Sequence, residues 1–212
     1  MNKLSIAKLE TARKNPKEFA KSLLKASDQS GFGYPKSLRW LNAICNWHEG
    51  HKEADAVKEL EKAFSKRKDT PKNRAEVEDL VTALESYFKE FNRRGFHLVK
   101  SRERIQFEIN KILQLSGQIP LLHMKPDRGF AAYFITDNSD QTWKEELRFP
   151  IVQRYLANDL LGCDAKDIDV GIVDYYTGEI SETSFEPEYL ESCFQELKSI
   201  GRKIASVLRG GQ

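Results

Sequence analysis

No stretch of this 212-residue chain approaches the ~18–20 consecutive apolar residues that a membrane-spanning helix needs. Cysteine is scarce as well. Cys45, Cys163 and Cys193 are odd in number and widely spaced, which excludes the disulfide framework of a small secreted domain. Only four histidines are present, and none is spaced with Ser, Cys or Asp for nucleophilic or acid–base catalysis. Gly31-Phe32-Gly33 is too short for a phosphate-binding loop. The opening Met1-Asn2-Lys3-Leu4-Ser5 soon becomes Lys-rich and lacks the apolar segment of a signal peptide. There is no internal repeat and no low-complexity tract. With 40% hydrophobic residues the chain can still bury a sizeable core. The expectation is a soluble, cytoplasmic, globular protein with no membrane partner.

What is present is charge, unevenly placed. The formal net charge of +2 hides 23 Lys and Arg against 16 Asp and Glu over residues 1–110, and 11 against 16 over residues 111–212. The excess is sharpest in residues 1–48, with nine positive side chains against three negative. A basic half beside an acidic half fits contact with nucleic acid or with an acidic partner.

Hydrophobic periodicity sketches the architecture. Ser5 is placed to cap a short helix over Ile6 to Arg13, and Asn15-Pro16 starts a second helix carrying Phe19, Leu23 and Leu24. Ser27 to Pro35 reads as a loop. Helices follow over Ser37 to Trp47, over Ala54 to Phe64, and from Thr70-Pro71 to Gly95, with Lys66 to Asn73 as a charged linker. Past Gly95 the period changes to two at Ile105, Phe107 and Ile109. An antiparallel meander then runs through Leu113–Leu121 and Phe130–Ile135. Thr142 and Glu145 form a capping box, Pro150 should split that helix near Phe149, and Gly162 ends it. A hairpin around Tyr176-Thr177-Gly178 and a long helix after Pro187 close the chain. The fold class is α+β. Residues 1–95 are mainly helical, opening helices plus a helical insert at about 30–95, and residues 96–212 form an α+β core.

Leu4-Ser5-Ile6-Ala7-Lys8-Leu9 with Asn15-Pro16 and Phe19 resembles the opening of RecB-type nucleases of the PD-(D/E)XK superfamily. Ile112 to Ile119 (Ile-Leu-Gln-Leu-Ser-Gly-Gln-Ile) is similar to the strand that carries that family's Gly-x-Ile-Asp. Phe130 to Thr136 stands where the next strand brings an acidic residue and a lysine. Phe149 to Ala157, with Gln153 and Tyr155, is similar to the family helix bearing a Gln and a Tyr. The resemblance spans about residues 4–20 and 105–205. It implies a mixed sheet flanked by helices and a cleft near the opening helix.

The departures shape the functional expectation. A nuclease of this type holds Mg²⁺ with carboxylates from two neighbouring strands and uses a lysine to position water or offset charge. Here Pro120 follows Ile119 where the first aspartate is expected, and Tyr133-Phe134-Ile135-Thr136 replaces Asp/Glu-x-Lys. Glu196-Leu197-Lys198 has the spacing but lies in the last helix. The resemblance then implies a non-catalytic pseudo-nuclease with no metal cofactor, serving as a structural or DNA-binding subunit of a DNA-processing or anti-phage defence complex, with other protein subunits and DNA as partners. One alternative is a divergent Mg²⁺-dependent nuclease rebuilt from Asp127, Asp137 and Glu145, with Asp140 and Glu146 nearby. The plainer reading makes Asp127 a turn residue and Glu145 a helix cap. The other alternative is a purely protein-binding adaptor.

For nucleic acid the candidates are Lys8, Arg13, Lys14, Lys17 and Lys21 on the opening helices, and Arg93, Arg94, Lys100, Arg102 and Arg104 at the helix–sheet junction. With the opening helix near the cleft, the two clusters would join into one phosphate-tracking surface. Phe32, Tyr34 and Trp40 could offer stacking faces, although helical spacing also explains Trp40. Trp40 and Trp47 are candidate partner anchors, and Trp143 is expected to pack the first turn of its helix. Cys45, His48 and His51 resemble a fragment of a zinc site. A closed site needs four ligands, so buried Cys45 beside surface histidines is the expectation.

Overall fold

The computed structural model describes residues 1–25, 35–137 and 142–210. Phe32, Tyr34 and Asp140 lie outside the described residues. Six strands make one mixed sheet: β1 (Asn2–Ser5), β2 (His97–Asn110), β3 (Leu113–Met124), β4 (Phe130–Thr136), β5 (Ile168–Asp174) and β6 (Ile180–Thr183). β2 pairs antiparallel along one edge of β3. The other edge of β3 is shared by two strands. β1 runs parallel to its beginning (Asn2 beside Leu113, Ser5 beside Ser116), and β4 runs antiparallel to its end (Leu121 beside Tyr133, Met124 beside Phe130). β5 lies parallel to β4, and β6 closes the far side antiparallel to β5.

The sequences of β4 (Phe-Ala-Ala-Tyr-Phe-Ile-Thr) and β5 (Ile-Asp-Val-Gly-Ile-Val-Asp) are almost continuously apolar, as strands covered on both faces must be. Ala132, Phe134, Val170 and Ile172 belong to one core, with α1 (Leu9–Lys14), α2 (Pro16–Lys25), α6 (Arg148–Tyr155) and α7 (Pro187–Gly210) over them. Ala131, Tyr133 and Val173 belong to a second core, under α3 (Lys36–His48), α4 (Glu53–Phe64) and α5 (Pro71–Arg94). The helical insert is therefore the outer layer of the same sheet. Trp40, Tyr87 and Phe88 share their core with Phe96, Leu121 and Tyr133 across the Gly95 boundary. Among the described residues no helix is long and apolar enough to cross a membrane.

Local signals set several ends. Thr70 Oγ1 accepts from the Asn73 amide at 3.2 Å with Pro71 at the first helical position, and Gly95 closes α5 at φ +64°. The expected break at Pro150 falls three residues earlier. A 3₁₀ turn over Thr142–Glu145 ends at Glu146-Leu147, and α6 restarts at Arg148. Pro150 then sits in the first turn of α6, where an absent amide proton costs nothing. β1, read in the sequence as the lead-in to a helix, is a strand.

Candidate functional site

β3 and β4 stay paired only as far as Leu121 and Tyr133. Beyond that point β4 continues on β5 alone, Phe134 beside Ile172 and Thr136 beside Asp174, while β3 runs back along β2 towards β1. The two strands open as a fork. One arm is Gly117-Gln118-Ile119-Pro120 and the other is Phe134-Ile135-Thr136. These are the positions at which the resemblance expects the magnesium-binding carboxylates, and neither arm carries an acid.

The fork is closed by packing. Ile6 lies so near Gly117 that a Cβ there would collide with it. Phe134 is 6% exposed, with the Phe149 ring 5.5 Å away edge-on and the Arg148 guanidinium 4.9 Å from its ring centre. Burial depresses the pKa of Arg148, and Glu146, 2.7 Å from its Nε, opposes that shift. A cation and two aromatic rings therefore stand where the resemblance expects Mg²⁺. These residues do not fit a divalent ion.

A cavity of about 570 Å³ opens beside the fork, lined by Ile6, Glu10, Arg13, Lys14, Thr142 and Glu145 among others. Two of its three carboxylates, Glu10 and Glu146, are engaged. Glu10 accepts from the Leu147 amide at 2.6 Å and lies 3.6 Å from Arg13. Among the described residues no group of three or more His, Cys, Asp or Glu could hold a metal ion.

The acids proposed for a rebuilt site are not brought together. Asp127 sits in the turn before β4, its Oδ1 accepting from the Gly129 amide at 3.1 Å. Asp137 follows the other end of β4. Seven residues at about 3.3 Å each separate them by roughly 20 Å, and magnesium binds its oxygens at about 2.1 Å. The Glu145 main-chain carbonyl accepts from Arg13 Nη1 at 2.9 Å.

The basic residues divide likewise. Arg13 grips Glu196 of α7 with its Nε at 2.7 Å and Nη2 at 3.1 Å, and that hydrogen bond raises the guanidinium pKa. Lys21 pairs with Glu18 at 2.7 Å, Lys100 with Glu103 at 2.5 Å, and Arg102 with the Asn42 side chain. Arg93 and Arg94 both clasp Glu90 and hold its carboxyl at about 2. Arg94 also reaches Glu182 at 3.0 Å. Lys8, Lys14, Lys17 and Arg104 have no ion pair among the described residues. Arg93 and Arg94, at the end of α5, lie across the sheet from α1 and α2, while Lys100, Arg102 and Arg104 are on the edge strand β2.

The aromatic candidates are corrected by burial. Trp40 is fully buried and donates from Nε1 to the Leu80 carbonyl at 3.1 Å, so it can neither stack on a base nor anchor a partner. Trp47 is half-buried, its ring 4.4 Å from Phe88 and 5.3 Å from Phe91, as part of the second core's wall. Trp143 packs on Phe149 at 4.8 Å. His48 is no surface residue. Its Nε2 lies 3.0 Å from the Tyr87 hydroxyl, and its ring is 5.7 Å from that of His123. His123 is completely buried among Phe91, Phe96 and Tyr133, and neither ring nitrogen has a partner. Burial pushes His48 down to about 4 and His123 down to about 3, the latter also opposed by His48. Its only sequence trace was a single histidine in a strand, so this pair was not foreseen.

Gln153 has a structural task. Completely buried, it donates from Nε2 to the carbonyls of Ala165 (2.9 Å) and Phe185 (3.1 Å), and its Oε1 accepts from the Phe185 amide at 2.9 Å. It fastens α6 to the segments flanking the hairpin. Replacing Gln153 with Leu should orphan three buried main-chain groups. The expected loss is about 3 kcal/mol or more, read as a lower urea midpoint at unchanged slope. Tyr155, its neighbour in the motif, stacks on Phe107 at 5.9 Å and reaches the Arg104 carbonyl of edge strand β2 at 3.4 Å.

No family model matches the sequence, and no curated protein matches it significantly. Solved structures do match. A protein from Eubacterium rectale, provisionally named an exonuclease, is similar over 97% of this chain and 81% of its own, with a TM-score of 0.54 and 12% identity. A second structure, whose name states no activity, aligns over 91% of this chain and 84% of its own at 12% identity with a TM-score of 0.34. The first likeness shows a shared fold: the mixed sheet with helices on both faces is that of a protein named as an exonuclease.

Proposed function

We propose that this chain is a pseudo-nuclease: a degenerate RecB-type member of the PD-(D/E)XK superfamily that binds rather than cuts. It serves as a DNA-binding, structural subunit of a DNA-processing or anti-phage defence assembly. The reading rests on one observation above all, the strand fork with Pro120 on one arm and Phe134 on the other. Metal-dependent phosphodiester hydrolysis needs acids there to fix the ion and orient water. A buried arginine over two aromatic rings supplies neither. The fold likeness and the resemblance of the Gln153–Tyr155 helix support descent from a nuclease scaffold. The basic excess of residues 1–110 supports a phosphate-rich partner.

The test uses the purified full chain with labelled single- and double-stranded DNA in Mg²⁺ or Mn²⁺. The expected result is salt-sensitive binding and no cleavage products. Metal-dependent cleavage that vanishes in Asp127→Ala, Asp137→Ala or Glu145→Ala proteins would instead establish the divergent-nuclease alternative. Absence of DNA binding even at low salt would leave the protein-binding adaptor.

A further inference from the structure

The densest concentration of positive charge lies away from the fork, at the turn joining α4 to α5. Between residues 62 and 74 the chain carries Lys62, Lys66, Arg67, Lys68, Lys72 and Arg74 against a single acid, Asp69. The turn is well fastened. The Arg67 guanidinium lies 4.5 Å from the Phe64 ring centre and pairs with Glu76 at 2.8 Å. Arg39 of α3 lies 4.9 Å from the same ring and donates to the Ala63 carbonyl. Asn73 Nδ2 donates to the Lys68 carbonyl at 2.7 Å, and the Thr70 hydroxyl caps α5. A cleft of about 380 Å³ runs between Phe64, Lys68, Asn73 and Val77, with Glu61, Asp69 and Glu78 also on its walls.

Arg39 and Arg67 thus hold the turn, Arg74 pairs with Asp69 at 2.7 Å, and the lysines are left over. Lys62, Lys66, Lys68 and Lys72 are all exposed, and none has a carboxylate within ion-pair distance among the described residues. The positive end of α5, a 24-residue helix, adds to the same field. Uncompensated like charge on a fixed scaffold repels itself unless a polyanion covers it.

We propose that this α4–α5 ridge is the nucleic-acid interface, taking the phosphodiester backbone of a strand across its four lysines. The proposal rests on the DNA-binding reading above and moves the contact from the opening helices and the helix–sheet junction to the α4–α5 turn. An anionic membrane fits less well: no large apolar side chain in this region is exposed for insertion. A protein partner fits less well for the same reason, since interface centres are apolar and poor in lysine.

Fluorescence anisotropy with a labelled DNA duplex tests it on the full chain at about 50 mM salt, across a salt series. Replacing the four lysines with Ala should weaken binding about tenfold or more and flatten the log K against log salt slope by roughly 3 to 4. The four-fold Lys→Arg protein should bind like the unaltered chain. A Lys8, Lys14, Lys17→Ala protein should lose less than about twofold. If the unaltered chain binds DNA and the ridge variant binds equally well, the ridge is not the interface and the DNA-binding reading stands. If the unaltered chain binds no duplex, or binds only phosphatidylserine vesicles, both are overturned. Each exposed-lysine variant should keep the parent circular dichroism spectrum and melting temperature.

Discussion

Lowering the pH from neutrality to about 4 should strongly destabilise this protein, through two histidines. His48 and His123 meet between α3, α5 and β3, and burial holds them at about 4 and about 3, against 6.5 for a free imidazole. The groups facing them are aromatic or hydroxylic: Trp47, Tyr87, Phe91, Phe96 and Tyr133. No carboxylate is there to share an added proton. The unfolded chain binds protons at these residues below pH 6.5 and the folded chain does not, so stability is complete above that pH and falls as the pH drops towards the folded values. At pH 4 the loss is roughly 3 kcal/mol for each histidine, large against the 5–15 kcal/mol that holds a typical domain together. Paired carboxyls such as Glu90, held at about 2, lose their contribution only below about 4.5, so the first part of the acid decline belongs to the histidines. Urea midpoints taken across this range should drop steeply from about pH 6.5 in the unaltered chain and by roughly half as much in His123→Leu, where His48 remains. Trp47, its ring 4.6 Å from His48, offers a fluorescence signal in the same cluster. An identical pH profile in the two proteins would refute the assignment.

Gly178→Ala should be the most damaging small substitution. Gly178 turns the β5–β6 hairpin at φ +76°, where a side chain is strained. An added Cβ would lie 2.8 Å from the Tyr87 amide nitrogen and closer still to the Ala83 carbonyl, both in the backbone of α5. Backbone cannot rotate away, so α5 must lift from the sheet. The expected cost is roughly 2–5 kcal/mol, or a fall of about 10 °C in melting temperature for a chain of this size. Gly162→Ala is the internal control. Its φ is +64° with nothing within 4 Å of the added atom, so it should show the dihedral strain alone, about 1 kcal/mol. Equal melting temperatures for the two variants would mean that α5 does not rest on the hairpin.

The helices were legible because each carries an apolar stripe and an end signal. Thr70-Pro71 and Gly95 bound α5 as the sequence indicates. The strands after Gly95 were legible from their period. β1 was not, since only Leu4 of its four residues is buried and its extended form comes from pairing with Leu113–Ser116, more than a hundred residues away. Trp40 and Trp47 looked available because the sequence does not state that the sheet has a second apolar face for α3 to cover. The charged clusters looked free for a similar reason: the partner of Arg13 is Glu196, 183 positions on. In the α4–α5 turn the charge was visible but its meaning was not. That depends on Glu76, Phe64 and Asp69 claiming the arginines and leaving the lysines. Of the candidate site, the chain itself showed Pro120 and Phe134 standing where the resemblance expects acids. The fork that makes those two positions matter is a property of the sheet.

The pseudo-nuclease proposal requires that this nuclease-like sheet hold no divalent ion. Titrating the full chain with Mn²⁺ while following the free-ion electron paramagnetic resonance signal tests it most directly. The account predicts a signal that rises as in buffer, with no stoichiometric site, for the unaltered chain and for Glu10→Gln and Glu146→Gln alike. One tightly held Mn²⁺ per chain, released by either substitution, would contradict it.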